Sequence, residues 1–236
     1  MPVYNERATL AALLDRVLGL DLKGLDREVI IVEGNSTDGT REIVRGYAGR
    51  PGVQIVYEER PRGKGAAVRA GLARATGDYL LIQDGDLEYD PADTPKLLEP
   101  LLAGEAEVVF GSRVMTSPQD WQFRRLHGPE RLFGFLVNLG GVIFTGLFNL
   151  LYGTRLTDGA TMYKLFRTAD LKALDLKSDG FDYDWEISAK LAKKGLRFAE
   201  RPVFYKARSL AEGKKIRFWR DGWRVLVAIL RYRLGD

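Results

Sequence analysis

Cysteine is absent from the 236-residue chain, and histidine occurs once, at His127. The first absence excludes disulfides, zinc–thiolate sites, iron–sulfur clusters and a thiol nucleophile. The second excludes a multi-histidine metal site and leaves a serine–histidine triad little support. Residues 1–7 lead into a helical pattern without the long apolar run of a secretory signal. With no thiols to oxidise, a reducing, cytoplasmic setting is expected. No internal repeat or low-complexity linker is present. Hydrophobic residues make up 45% and charged residues 29%, a globular balance. A chain of this length buries a core without covalent staples.

The net charge of +4 is unevenly spread. Residues 201–236 hold ten Lys/Arg and three acids, giving +7, while residues 1–200 carry −3. Such a tail suits an anionic partner, and the plain alternative is a solvated helix face. Its basic residues alternate with Ile216, Phe218, Trp219, Trp223, Val225, Leu226 and Ile229. That interleaving fits a membrane interface, and no nucleic-acid-reading motif accompanies it. Residues 132–154 contain no charge and are long enough to cross a bilayer. Gly134, Asn138, Gly140, Gly141, Gly146 and Asn149 interrupt that run. They predict two short helices, broken near Gly140 and Gly141, lying on a membrane or covering the core.

Before that run, short apolar segments at 29–32, 53–57, 79–83 and 108–111 alternate with helical patterns at 8–18, 41–47, 66–75 and 91–103. The alternation predicts βαβ units and an α/β fold, with a mostly parallel sheet covered by helices on both faces. Residues 1–6 read as the end of a short first strand. Ligands of open α/β sheets bind outside the carboxyl ends of strands, so the residues there carry the functional argument.

The sharpest such segment is Gln83 to Glu88, reading QDGDLE. Asp84 and Asp86 are two apart, which puts both side chains on one side of extended chain. Converging carboxylates repel unless a cation separates them. Without cysteine and with one histidine, that cation is a hard one, Mg²⁺ or Mn²⁺. An ordinary acidic turn is the alternative. A second segment, Arg60 to Gly65 (RPRGKG), precedes a helix. Its glycines and its cations Arg62 and Lys64 favour an anion at a helix N-terminus, and a basic turn is the competing reading. It lacks the Ser/Thr of a Walker A loop. The third, Glu33 to Gly39 (EGNSTDG), caps the next helix through Thr37 or Asp38. Capping leaves Glu33 unexplained, as an acceptor able to read a base or ribose.

The ordered set Pro2-Val-Tyr-Asn-Glu6, Glu33-Gly-Asn-Ser-Thr-Asp-Gly-Thr40, Arg62-Gly-Lys-Gly65 and Asp84-Gly-Asp86 resembles the motifs of family 2 glycosyltransferases with the GT-A fold. Gly111-Ser-Arg113, Leu156-Thr-Asp158, Met162 to Phe166 and Glu212 to Ile216 extend the resemblance to the dolichol-phosphate mannose synthase-like, polyprenyl-phosphate glycosyltransferase branch. The family's usual Asp-Asp-Gly-Ser is Glu33-Gly-Asn-Ser36 here.

The resemblance implies an inverting, metal-dependent transfer of a sugar from a nucleotide diphosphate sugar to a polyprenyl or dolichyl phosphate. It places the nucleotide on Pro2, Tyr4, Glu6, Glu33, Asn35, Lys64 and Asp84, and the metal on Asp84, Asp86 and Glu88. Asp86 and Arg113 enter the catalytic set. Arg113, Arg131, Lys214 and Lys215 face the acceptor phosphate, with Arg124 and Arg125 as further cations. His127 is either an acceptor contact or a solvated loop residue. One catalytic domain over 1–236 is expected, with a nucleotide half at 1–111, an acceptor half at 112–200 and a basic amphipathic tail at 201–236. The location implied is peripheral, on the cytoplasmic face of a membrane.

Alternatives remain open at this point. A lipid phosphate is already ionised and attacks without strong base help, whereas a hydroxyl acceptor needs a base. Asp184 and Glu186, beside Asp182, are the catalytic candidates for that role. Their plain reading is a favourable acidic first turn of a helix. A membrane-bound binding protein without turnover is the non-enzyme alternative.

Overall fold

Four consecutive β-branched residues, Val29 to Val32, begin the strand Val29–Glu33 (β2), as their packing preference on a pleated surface favours. In a computed structural model, which describes residues 1–115, 121–124, 128–208 and 218–235, β2 lies between Pro2–Val3 (β1) and Val53–Tyr57 (β3). Both pairings are parallel. Leu10–Leu18 (α1) and Thr40–Arg45 (α2) supply the crossovers, and Lys64–Leu72 (α3) follows β3. Leu10, Leu13 and Leu14 form the buried stripe of α1, and Leu10 and Leu14 pack with Val3, Ile31, Val44 and Tyr47.

A second sheet contains Tyr79–Leu81 (β4), Val108–Ser112 (β5), Lys164–Arg167 (β6) and Phe198–Pro202 (β7), in the order β4-β6-β5-β7. Strand β6 runs antiparallel to β4 and β5, while β5 and β7 are parallel. The antiparallel strand is an addition to the expected parallel scheme. Every residue of β5 is buried, as for a strand covered on both faces. Thr94–Leu102 (α4), Thr168–Lys172 (α6) and Tyr183–Lys193 (α7) follow in the chain around this sheet. Residues on both sides of position 111 share it, so the expected nucleotide and acceptor halves have a common core of Phe110, Phe148, Phe166 and Trp185.

The uncharged run corrects an expectation. Arg131–Tyr152 (α5) is one helix of 22 residues, unbroken at Gly140 and Gly141. Its small and polar residues receive neighbouring chain. The Asn138 amide accepts from the Arg124 N–H and donates to the Arg124 carbonyl, both at 3.0 Å. Thr145 Oγ1 accepts the Gly159 N–H at 3.0 Å, and Asn149 holds Leu156 through both backbone groups. A Cβ on Gly141 would stand 3.2 Å from the Phe123 ring, so glycine admits that ring. Each helical glycine costs about 1 kcal/mol, which this docking offsets. Along α5, Leu132, Phe135, Leu139, Val142, Ile143 and Leu150 are exposed. By length and composition α5 could cross a membrane, with 22% of its most apolar window buried.

In the tail, Phe218–Leu234 (α8) turns Ala228, Ile229 and Tyr232 into the core shared with α7. It leaves Trp223, Val227, Leu230 and Leu234 outside.

Candidate active site

One cleft of about 1110 Å³ runs from the carboxyl ends of β1 to β4 to the groove between α5 and α8. The acidic loop after β4 forms its floor. Gly85 lets that loop lie on β1, since a Cβ there would meet Val3 at 3.3 Å and Glu6 at 3.4 Å. Asp86 and Glu88 are buried, and Asp86 Oδ1 accepts the Glu88 N–H at 3.0 Å. Burial first, then the neighbouring Asp84 and Glu88, push the Asp86 carboxyl up to about 6, against the pull of Arg208.

Two cations meet these carboxylates. Lys64, at the start of α3, pairs with Asp84. Arg208 donates from Nη1 to Glu6 at 2.9 Å and from Nη2 to Asp86, with its Nε 3.6 Å from Glu88. Its backbone N–H also donates to Glu88 at 2.9 Å. The sequence counts Arg208 only as one basic residue of the tail.

An all-oxygen carboxylate set converging on a positive centre suits a hard divalent ion. The Arg208 guanidinium shows where positive charge sits among Glu6, Asp86 and Glu88. As the side chains stand, no three carboxylates among the described residues are grouped closely enough to hold an ion. The donor chemistry of these oxygens fits Mg²⁺ or Mn²⁺, while their spacing is that of carboxylates paired with Lys64 and Arg208.

Pro2, Tyr4 and Glu6 line the cleft. Glu33 and Asn35 do not. The Glu33 side chain is fully buried, accepting the Ser36 N–H at 2.7 Å and lying 3.3 Å from Arg41. Asn35 accepts from Arg41 at 2.6 Å and donates to the Glu59 carbonyl at 2.9 Å. These contacts shape the turn after β2, and Gly34 and Glu58 take the wall instead. Glu58 follows β3 as Glu33 ends β2, which is the signal that would have found it; it pairs with Arg62 at 3.1 Å. The residues Asn5, Ser36, Thr37 and Thr40 tie the first two strand-end loops together.

Glycine is required at positions 63 and 65 by the backbone packed against them. A Cβ on Gly63 would lie 2.3 Å from the Asp179 carbonyl, and one on Gly65 2.2 Å from that of Ser178. The Gly65 N–H donates to Asp179 at 2.8 Å, which seats Lys64 toward Asp84. Glu186 organises this partner loop. It accepts the N–H groups of Lys177 at 2.8 Å and Ser178 at 2.7 Å, and pairs with Lys190 at 2.9 Å. Gly65→Ala is accordingly expected to destabilise the fold by about 1–3 kcal/mol, since backbone must move. Thermal denaturation checks this: at roughly 2–4 °C per kcal/mol, an unchanged melting temperature contradicts it.

Asp184 also faces the interior. It pairs with the fully buried Lys164, away from the cleft wall. Neither it nor Glu186 is placed to serve as the base the sequence suggested, because burial and committed partners hold both carboxylates.

Midway along the cleft, Arg113 follows β5. Its Nε and Nη2 grip Asp158 at 2.7 and 2.8 Å, and its guanidinium stacks 3.8 Å from the Phe123 ring centre. Glu200 fixes Asp158 in turn, accepting the N–H groups of Thr157 at 2.7 Å and Asp158 at 3.0 Å. Arg124 lies beside it, donating to the Arg208 carbonyl at 2.9 Å and the Tyr205 hydroxyl at 2.6 Å. Arg131 starts α5, exposed and off the cleft wall. Arg125, His127, Lys214 and Lys215 lie outside the described residues.

Parallel strands whose carboxyl ends meet an acidic turn, beside a mixed second sheet, are the arrangement of a GT-A fold. The chain belongs to Glycosyl transferase family 2, which it matches over residues 1–174. It is 29% identical over 226 residues to a low-salt glycan biosynthesis hexosyltransferase of Haloferax volcanii, covering 95% of this chain and 50% of that protein. It is 27% identical over 216 residues to dolichol-phosphate mannosyltransferase of Pyrococcus furiosus, covering 91% and 57%. The chain thus spans little more than half the length of these relatives. The fold is similar to that of Mycobacterium tuberculosis glucosyl-3-phosphoglycerate synthase, with TM-score 0.72 and 22% identity over 100% of this chain and 79% of that one. The same synthase with Mn²⁺, UDP-glucose and phosphoglyceric acid gives TM-score 0.71 at 21% identity, over 100% and 78%.

Proposed function

We propose that the chain transfers a hexose from a nucleotide diphosphate sugar, of GDP-mannose or UDP-glucose type, to a polyprenyl or dolichyl phosphate at the cytoplasmic face of a membrane. The observation that carries this reading is the continuity of the cleft. It passes from Asp84 and Asp86, by Arg113 and Arg124, to an apolar channel lined by Leu136, Ile143 and Phe144 of α5 and by Leu226 of α8. A diphosphate suits the first part, an anionic headgroup the second and an isoprenoid chain the third.

Asp84, Asp86 and Glu88 would hold Mg²⁺ or Mn²⁺. When bound, that ion offsets the charge growing on the departing nucleoside diphosphate. Lys64 adds a fixed cation beside Asp84, and Pro2, Tyr4, Gly34 and Glu58 wall the space for the nucleoside. Arg113, held rigid by Asp158 and Phe123, presents positive charge to the acceptor without reorganising. A phosphate nucleophile is ionised at neutral pH, so the interior placement of Asp184 and Glu186 leaves this chemistry intact. The exposed apolar faces of α5 and α8, with exposed Arg224, Arg231 and Arg233 nearby, suit an anionic leaflet. Each such arginine adds about 1 kcal/mol near that surface. The names of relatives such as dolichol-phosphate mannosyltransferase and dodecaprenyl-phosphate galacturonate synthase support the same acceptor class.

The test is transfer from radiolabelled GDP-mannose or UDP-glucose, with Mn²⁺, to polyprenyl phosphate in detergent. The expected result is acceptor-dependent label in the organic phase. Label confined to water-soluble products would overturn the lipid acceptor and favour a soluble hydroxyl one. No transfer from any nucleotide sugar would overturn the enzymatic reading of the cleft.

A further inference from the structure

Arg208 occupies a position that the donor-binding reading reserves for another cation. Its guanidinium donates to Glu6 and Asp86 and lies 3.6 Å from Glu88. An arginine does not lose its proton in a protein, so it vacates this position only by moving. Its backbone is anchored on the same loop: the Lys206 N–H donates to the Glu88 carbonyl at 2.8 Å, and Tyr205 bridges to Tyr89. The side chain is thus tethered at the mouth of the acidic turn, with its fork turned inward and the cleft open beside it.

We propose that Arg208 is a built-in counter-ion that holds the cation position in the donor-free enzyme. It gives way to the divalent ion only when a diphosphate arrives to receive its guanidinium. The inference rests on the reading of Asp84, Asp86 and Glu88 as the metal holders. A divalent ion and the guanidinium compete for the same carboxylates, since two positive charges crowded onto Asp86 and Glu88 repel each other. Without an anion nearby, displacing Arg208 strips it of its buried carboxylate partners. With a diphosphate present, the planar fork has a bidentate partner of matching geometry. Metal and donor therefore bind as a unit, and the free acidic turn is protected from adventitious ions.

Titration with Mn²⁺, following loss of the free-ion electron paramagnetic resonance signal, tests this without turnover. Nucleotide-free wild-type protein is expected to bind Mn²⁺ weakly. Arg208→Gln should bind it roughly tenfold or more tightly, because a competing positive charge is gone. Adding GDP or UDP should tighten Mn²⁺ binding in wild-type protein far more than in the variant. Equal or weaker nucleotide-free binding by Arg208→Gln would overturn the proposal. Should that variant fail to fold, Arg208→Met carries the same test, because it removes the charge while keeping much of the side chain's length; no gain there is equally adverse. An Asp84→Asn/Asp86→Asn control separates the two readings. If it leaves Mn²⁺ binding with nucleotide intact, the metal assignment itself falls. If it abolishes that binding while Arg208→Gln gains nothing, only the counter-ion role falls.

Discussion

Replacing Asp86 by asparagine is expected to lower kcat/KM for sugar transfer by about 10²–10³-fold, the usual range for removing a preorganised charge-stabilising group. The structure separates this from damage to the fold. Asp86 is buried between Asp84 and Glu88, so its carboxylate is disfavoured by desolvation and by two like charges. A neutral amide of the same shape relieves both. The amide retains an oxygen to accept the Glu88 N–H, and Arg208 retains Glu6 and Glu88 as partners. The melting temperature is therefore expected to hold or rise while activity collapses. Steady-state kinetics over a range of Mn²⁺ concentrations, alongside thermal denaturation, gives both readouts. A kcat/KM within about threefold of wild type would remove Asp86 from the machinery. Equal losses of activity and stability would make it a structural residue.

The parts of the site legible in the sequence are those built locally. Asp84, Asp86 and Glu88 follow an apolar strand within a few residues, and Pro2, Tyr4 and Glu6 sit at a strand end in the same way. Arg208 was not legible, because its meaning comes from carboxylates as far as 202 positions away. In the chain it is one of ten basic residues in the tail. The choice between Glu33 and Glu58 was hidden for a similar reason. Both end strands of one parallel pair, and only the packing of Arg41 against Glu33 shows which carboxylate turns inward. The glycines and asparagines of α5 read as helix breakers in the sequence, because composition does not reveal that Asn138, Gly141 and Asn149 each dock the chain flanking the helix. The direction of β6 was equally invisible: a four-residue strand carries no local mark of whether its neighbours run with it or against it. Fold class was legible because hydrophobic periodicity is set by burial, which every element expresses within its own residues.

Asp184→Ala is expected to cost about 3–5 kcal/mol of stability, the range for leaving one member of a buried ion pair alone. Lys164 and Asp184 are both buried, and the Lys164 ammonium also reaches the Gly159 carbonyl at 3.2 Å and Ser188 Oγ at 3.1 Å. Its nitrogen lies 4.3 Å from the Phe110 ring centre, inside the core. Without Asp184 that charge has two neutral acceptors and an aromatic face, too little to replace hydration. At roughly 2–4 °C per kcal/mol for a domain of this size, the melting temperature should fall by about 6–20 °C. The double variant Lys164→Met/Asp184→Leu should recover much of the loss, because apolar replacement of a whole buried pair is often neutral or better. A general base behaves differently: its removal abolishes turnover at unchanged stability, and no substitution at Lys164 restores it. Activity of Asp184→Ala measured well below its melting temperature is therefore the deciding quantity. Retained turnover with a lowered melting temperature places Asp184 in the scaffold, bracing the segment from Asp158 to Lys164 that carries the clamp on Arg113. An inactive variant with wild-type stability would return it to the chemistry and reopen the hydroxyl acceptor.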